Sequence, residues 1–242
     1  MIEVNGLSKS YGDYQAVADI GFTAGKGEIV GFLGPNGAGK TTTIRMLATY
    51  LPPSSGSAKV AGFDVVTQAD EVRRRIGYLP ENPPLYGEMT VREYLKFIAE
   101  IKGVPRAHIA SRVDEVMERC FVADVRNKLC QHLSRGYRQR VGLGQAIMHD
   151  PEVIILDEPT SGLDPKQIIE IRRLIKSLGE KHTVLLSTHI LPEVAMVCSK
   201  VVIVNRGRVV VEGALNQISR DKSLEQVFLE SVSQDGSVVA AA

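Results

Sequence analysis

One stretch, Gly34-Pro35-Asn36-Gly37-Ala38-Gly39-Lys40-Thr41-Thr42, constrains this chain more than any other. Gly34, Gly39, Lys40 and Thr41 meet the spacing G-x-x-x-x-G-K-[ST], which works only with a strand entering the loop and a helix leaving it. Both flanks agree. The apolar run Glu28-Ile29-Val30-Gly31-Phe32-Leu33 reads as a buried strand, and Thr43-Ile44-Arg45-Met46-Leu47-Ala48 as the helix that follows. Glycines let successive backbone N–H groups turn inward around an anion, and the helix start adds its positive dipole end at the same point. The ligand therefore carries a polyphosphate, with Lys40 on its β- and γ-phosphates and the Thr41 hydroxyl on Mg2+.

The chain has 242 residues, enough to bury a full core in one large domain. Its net charge is +1 and it has no Trp, so neither a long-range field nor a base-stacking platform favours nucleic acid. Cys120, Cys130 and Cys198 are odd in number and far apart, which fits small core residues in a reducing compartment rather than a metal site or a disulfide. The start, Met1-Ile2-Glu3-Val4-Asn5-Gly6, lacks the pattern of a secretory leader. No apolar run approaches the ~18 residues of a membrane span, so any membrane role is expected to come through a partner chain.

Strands are expected over residues 2–7, 16–22, 28–33, 57–60 and 76–79, with a helix over 42–49. From Thr90 the period becomes helical. Val91, Tyr94, Leu95, Ile98 and Ile101 share one face behind a Thr90 N-cap with Glu93 three residues on. Ile109, Val113, Val116 and Met117 mark a second helix, and residues 136–148 a third. Val153-Ile154-Ile155-Leu156 returns to the continuous apolar run of a parallel strand buried on both faces. A helix over 166–178, strands over 183–187 and 201–204, and a hairpin turn at Arg206-Gly207 follow. The expected organisation is an α/β core over 1–84 and 151–215, an inserted helical subdomain over 85–150, a helical segment over 216–230 and a disordered tail over 231–242.

Asp157-Glu158-Pro159 ends the strand over 153–156. Burying such a charge costs several kcal/mol unless it is paired or metal-bound. Behind a phosphate loop, Asp157 at this position suits Mg2+, and Glu158 then faces the γ-phosphate and polarises the attacking water. The plain alternative is a solvated strand end. His189 follows the strand over 183–187; a histidine there is usually packed or surface-lying, but the carboxyl end of a parallel strand is where such sheets bind ligands. Ser134 caps the start of the helix over 136–148, which suits an anion and equally a plain amphipathic helix.

With these residues in place, the chain resembles the ATP-binding cassette (ABC) ATPases over roughly residues 1–230. Leu133-Ser134-Arg135-Gly136-Tyr137 resembles the family's LSGGQ signature, about twenty residues before Asp157-Glu158. Ser161-Gly162-Leu163-Asp164 is similar to its D-loop, His189 to its switch histidine, and Tyr11 to the aromatic that stacks on adenine. The resemblance implies a P-loop NTPase fold: a RecA-like mixed sheet with an N-terminal antiparallel β subdomain and the helical insert. It implies two cassettes sandwiching two ATP molecules. Each ATP would lie between one chain's residues 34–42 and the partner's Ser134 and Gly136, with Asp164 signalling across the interface. It further implies Mg2+ held by Thr41, Glu81 and Asp157 directly or through water, Glu158 as general base and His189 bracing the γ-phosphate. An integral membrane permease would dock near Glu81 and residues 85–150, placing the chain in the cytoplasm on the inner face of the cell membrane.

Three positions depart from the pattern: Glu81 stands where the family usually has Gln, and Arg135 and Tyr137 replace Gly and Gln of the signature. These changes, and the tail Leu224-Glu225-Gln226-Val227-Phe228-Leu229, are similar to the ABC-2 exporter branch, including its gliding-motility and multidrug types. The implied function is an ATPase subunit of such an exporter. The alternatives are a soluble ABC ATPase acting on ribosome or DNA, and a regulatory cassette that binds ATP without hydrolysing it. One cassette, and a gap of only 99 residues without heptads between Gly34 and Leu133, speak against the first; Glu158 and His189 speak against the second.

Overall fold

The computed structural model describes residues 1–220 and 222–233. Two sheets share the work. The antiparallel sheet runs in the order β2-β1-β4-β5, built from β1 (Ile2–Tyr11), β2 (Tyr14–Ala24), β4 (Ser55–Val60) and β5 (Phe63–Asp64). The second runs β10-β9-β3-β8-β7-β6, from β3 (Ile29–Leu33), β6 (Ile76–Leu79), β7 (Val153–Asp157), β8 (Thr183–Thr188), β9 (Lys200–Asn205) and β10 (Arg208–Ala214). Strands β6, β7, β8, β3 and β9 pair in parallel, and only β10 is antiparallel.

The continuous apolar runs are explained by what covers each face. Val30 and Phe32 of β3, Val153 and Ile155 of β7, Leu185 of β8 and Val202 and Val204 of β9 point to one side. There they pack on Ile2, Val4, Val17, Ile20 and Phe22 of the antiparallel sheet and on Ile44 and Leu47 of α1 (Lys40–Leu47). Their neighbours Ile29, Leu33, Ile154, Leu156, Val184, Leu186, Val201 and Ile203 point to the other side, into a cluster with helical residues. This period of two with both faces buried is the mark of a covered parallel sheet.

The helices of that second face include α3 (Val91–Ile101), α4 (Ile109–Arg119) and α5 (Arg135–Ile147), which lie between residues 85 and 150. Thr90 caps α3 in a capping box with Glu93, as its sequence demands. Helix α6 (Pro165–Leu178) buries Ile171, Leu174, Ile175 and Leu178 on the same face. The Arg206-Gly207 turn joins β9 to β10, with φ of 47° and 77°.

Several elements have no clear signal in the sequence. Helix α2 (Ala69–Arg75) buries only Val72, so it has no apolar stripe; Asp70 and Glu71 at its start and three arginines at its end suit its dipole. Helix α7 (Leu191–Val197), with Pro192 in its first turn, is short, and the helical segment expected over 216–230 is divided into the short α8 (Leu215–Ile218) and a second helix. Helix α9 (Leu224–Ser233) overturns part of one expectation: the tail expected from Ser231 begins inside this helix, where the Ser231 hydroxyl bonds back to Val227 O. Residues 234–242 of that tail lie outside the described residues. All three cysteines are buried and free, and burial pushes the Cys120 and Cys198 thiols up to about 12, so neither is a thiolate.

Candidate active site

The register of the parallel sheet creates the site. Leu33, the last residue of β3, pairs with Thr188 of β8, and Asp157 of β7 pairs with Ser187. The phosphate loop, Glu158 and His189 therefore leave three adjacent strands at one edge, at their carboxyl ends. Glu158 N–H continues the ladder by donating to Ser187 O at 3.0 Å.

Around the loop, Gly39 precedes α1 with φ of 95°, and a Cβ there would lie 2.6 Å from Ala16 O, so both conformation and space demand glycine. Lys40 Nζ, almost fully buried, donates to Gly34 O at 2.8 Å and Pro35 O at 3.2 Å, and sits 3.7 Å from Glu158 Oε1. Burial draws the Lys40 pKa down, opposed by the charges of Glu158 and Asp157.

Glu158 is buried and has φ of 50°, a left-handed backbone that costs a non-glycine residue on the order of 1 kcal/mol. That conformation aims its carboxylate at His189, whose Nδ1 lies 3.0 and 2.9 Å from its two oxygens. Asp157 sits beneath, 1 % exposed, with Oδ1 lacking any hydrogen-bond partner among the described residues. Burial holds its carboxyl above the usual range; the Glu158 and Glu81 charges add to this, and the Ser187 and Thr41 hydroxyls pull the other way.

These groups open into a cavity of about 460 Å³. Tyr11, Asn36, Gly37, Gly39, Lys40, Thr41, Thr42, Glu81, Glu158 and His189 line it, so one chain brings most of the expected residues together. Gly34, Pro35 and Ala38 complete the loop from behind, Gly34 and Pro35 through the carbonyls that hold Lys40. Ser161, the first residue of the Ser161-Gly162-Leu163-Asp164 stretch, also lines the cavity, as does Tyr14, which has no signal in the sequence. Tyr14 arrives there because it faces Tyr11 across the β1–β2 hairpin, an arrangement set by turn register alone.

Ser134, Gly136 and Asp164 do not line this cavity. Ser134 caps α5 by accepting from Tyr137 N–H, and Asp164 caps α6 by accepting from Gln167 N–H at 2.9 Å. The two caps are neighbours: a Cβ on Gly136 would fall 2.3 Å from Gln167 Oε1. Arg135 and Tyr137 find partners within the chain. Arg135 crosses Gly162 and donates to Ser161 Oγ at 2.9 Å; Tyr137 OH donates to Asp124 at 2.5 Å, under the Arg140 guanidinium.

A divalent cation fits this donor set. The orphaned Asp157 oxygen, the nearby Thr41 hydroxyl and Glu81 offer hard oxygens, and Mg2+ commonly takes one or two carboxylates and fills its shell with phosphate and water. Among the described residues no group of three His, Cys, Asp or Glu could hold a metal unaided. No helix of the described residues is long and apolar enough to cross a membrane.

Comparisons with known proteins agree with this geometry. A family model described as "ABC transporter" matches residues 17–161, and one described as "AAA domain, putative AbiEii toxin, Type IV TA system" matches 132–196. The chain is 38% identical over 241 residues to the ABC transporter ATP-binding protein NatA of Bacillus subtilis, covering 96% of this chain and 98% of that protein. It is 41% identical to the bacitracin transport ATP-binding protein BcrA of Bacillus licheniformis (88% and 69% covered), and 37% identical to the daunorubicin resistance ATP-binding protein DrrA3 of Streptomyces coeruleorubidus (99% and 77%). Among solved structures it is similar to an ATP-binding subunit of an ABC transporter, with TM-score 0.88 and 32% identity over 96% of this chain and 99% of that one. A dimeric bacterial ABC transporter cassette matches with TM-score 0.82 and 25% identity over 88% and 98%.

Proposed function

As a member of the ABC transporter family of ATP-binding proteins, this chain is an ATPase, and we propose that it powers an exporter of the ABC-2 type through an integral membrane permease. The observation that carries the catalytic part is the Lys40–Glu158–His189 cluster at the mouth of the nucleotide cavity. Relatives described as serving bacitracin transport and daunorubicin resistance support the export direction. In this reading the chain sits at the cytoplasmic face of the cell membrane, with the permease against Glu81 and residues 85–150.

Tyr11 stacks on adenine, and the backbone N–H groups of residues 34–42 surround the phosphates. Lys40 moves from the Gly34 and Pro35 carbonyls to the γ-phosphate. Glu158 takes the proton of the attacking water, while His189, fixed by that same carboxylate, braces the γ-phosphate. Thr41, Asp157 and Glu81 would hold Mg2+, which neutralises phosphate charge when bound. A second cassette supplies Ser134 and Gly136 from the opposite side, with Asp164 relaying between the two sites, so a lone chain hydrolyses poorly.

The metal assignment has its own consequence. A carboxyl held above its usual range destabilises the fold as pH rises from that range through the raised value, and the penalty is complete beyond it. Nucleotide-free Asp157→Asn protein is therefore expected to melt higher than wild type at neutral pH, with the difference closing toward the ordinary carboxylate range. Its ATP affinity should also lose its dependence on Mg2+. Melting curves against pH and ATP titrations with and without Mg2+ measure both; an unchanged Mg2+ dependence removes Asp157 from the metal site.

The transport reading is tested by purifying tagged Glu158→Gln protein from detergent-solubilised cells with ATP and Mg2+. Stoichiometric recovery of one polytopic membrane protein is expected. Recovery of ribosomes, DNA or soluble protein alone would replace the exporter with a soluble ATPase.

A further inference from the structure

Next to the site lies a buried acid that the mechanism above does not use. Glu193, in the first turn of α7, is fully buried, where an isolated carboxylate is costly and an apolar residue would pack more cheaply. Its Oε2 accepts from the Thr188 hydroxyl at 2.6 Å, and its Oε1 has no partner among the described residues. Thr188, also fully buried, accepts in turn from Ile190 N–H at 3.1 Å. A hydroxyl has one hydrogen, so giving it to Glu193 leaves a lone pair for Ile190. Glu193 N–H donates to Ile190 O at 3.0 Å. Ile190 is thus held at its N–H by the Thr188 hydroxyl, a bond that spans His189, and at its C=O by the backbone N–H of Glu193, whose carboxylate in turn orients the Thr188 hydroxyl.

We infer that Glu193 and Thr188 are positioning residues that fix the backbone turn of His189 so that its Nδ1 meets Glu158. The inference rests on the reading that Glu158 and His189 serve ATP hydrolysis. On the far side of the turn, Ser187 O already receives Glu158 N–H, so His189 is tied to the strand before it, the helix after it and the acid it faces. A histidine side chain that is half-exposed has little packing of its own to hold it, which makes the backbone clamp the means of aiming it.

The test compares Thr188→Val, Thr188→Ser, Glu193→Leu, the Thr188→Val/Glu193→Leu pair and His189→Ala for kcat, ATP dissociation constant and melting temperature. A displaced catalytic group costs on the order of tenfold to a hundredfold in rate. Thr188→Val is expected to lose kcat by about that factor with ATP affinity within about twofold of wild type, and Thr188→Ser to restore it. The pair carries the decision. Removing both polar partners relieves the stranded carboxylate, so the melting temperature recovers, but the His189 turn is still unheld and kcat stays low. If kcat recovers together with stability, or Thr188→Val turns over at the wild-type rate while His189→Ala is inactive, the positioning role is wrong. Wild-type turnover in His189→Ala would instead overturn the catalytic reading beneath it.

Discussion

Glu158→Gln protein is expected to bind ATP at least as tightly as wild type while its turnover falls by about a hundredfold or more. Glutamine keeps the volume and one oxygen to face His189 Nδ1, so the architecture at 2.9–3.0 Å is preserved. What is lost is the capacity to take a proton. Binding holds because removing a negative charge 3.7 Å from Lys40 also removes a repulsion on the incoming γ-phosphate. With hydrolysis blocked, the ATP-bound pair of cassettes should persist as a dimer. Phosphate release, equilibrium ATP binding and size-exclusion chromatography in ATP separate these effects. Wild-type phosphate release would remove Glu158 from its role.

Lys40→Ala should fail one step earlier, at binding. Without nucleotide, the ammonium is held by two carbonyls of its own loop and lies near two buried carboxylates. Truncation leaves Glu158 and Asp157 facing the phosphates with no cation between. Losing one partner of such a buried charge arrangement costs about 3 kcal/mol, or on the order of a hundredfold in ATP affinity. Titration with a fluorescent ATP analogue reads this directly, and affinity within about threefold of wild type would contradict the assignment. The two variants differ in kind: one retains ligand and stalls, the other does not capture it.

Much of this site is legible in the sequence because its chemistry restricts residue type at fixed spacing. Gly39 must be glycine where φ is 95° and Ala16 O is close, and Lys40 follows it at the helix start. Asp157 and Glu158 stand out because carboxylates seldom end an apolar strand. Tyr14 stays hidden: it reaches the cavity through hairpin register, which leaves no periodic trace. The Thr188–Glu193 contact is hidden for a related reason, since a threonine ending a strand and a glutamate opening a helix are each ordinary alone. Helix α2 escapes because one buried valine makes no stripe. In α9 the small polar residues near Ser231 suggest a loose end, yet the helix continues to Ser233.

The backbone bond from Glu158 to Ser187 carries a mechanical consequence. Acid and histidine follow neighbouring strands in the middle of a sheet whose two faces are covered, so once the Thr188–Glu193 clamp holds the turn their separation is stiff. They form the fixed jaw of a vice. No loop swing within one chain needs to assemble them, and none can readily pull them apart. In the proposed pair of cassettes, control over when ATP is cut would then come from the moving jaw, the surface that would carry Ser134 and Gly136 toward a neighbour's phosphates. A membrane partner that grips the helices between residues 85 and 150 would be holding the handle.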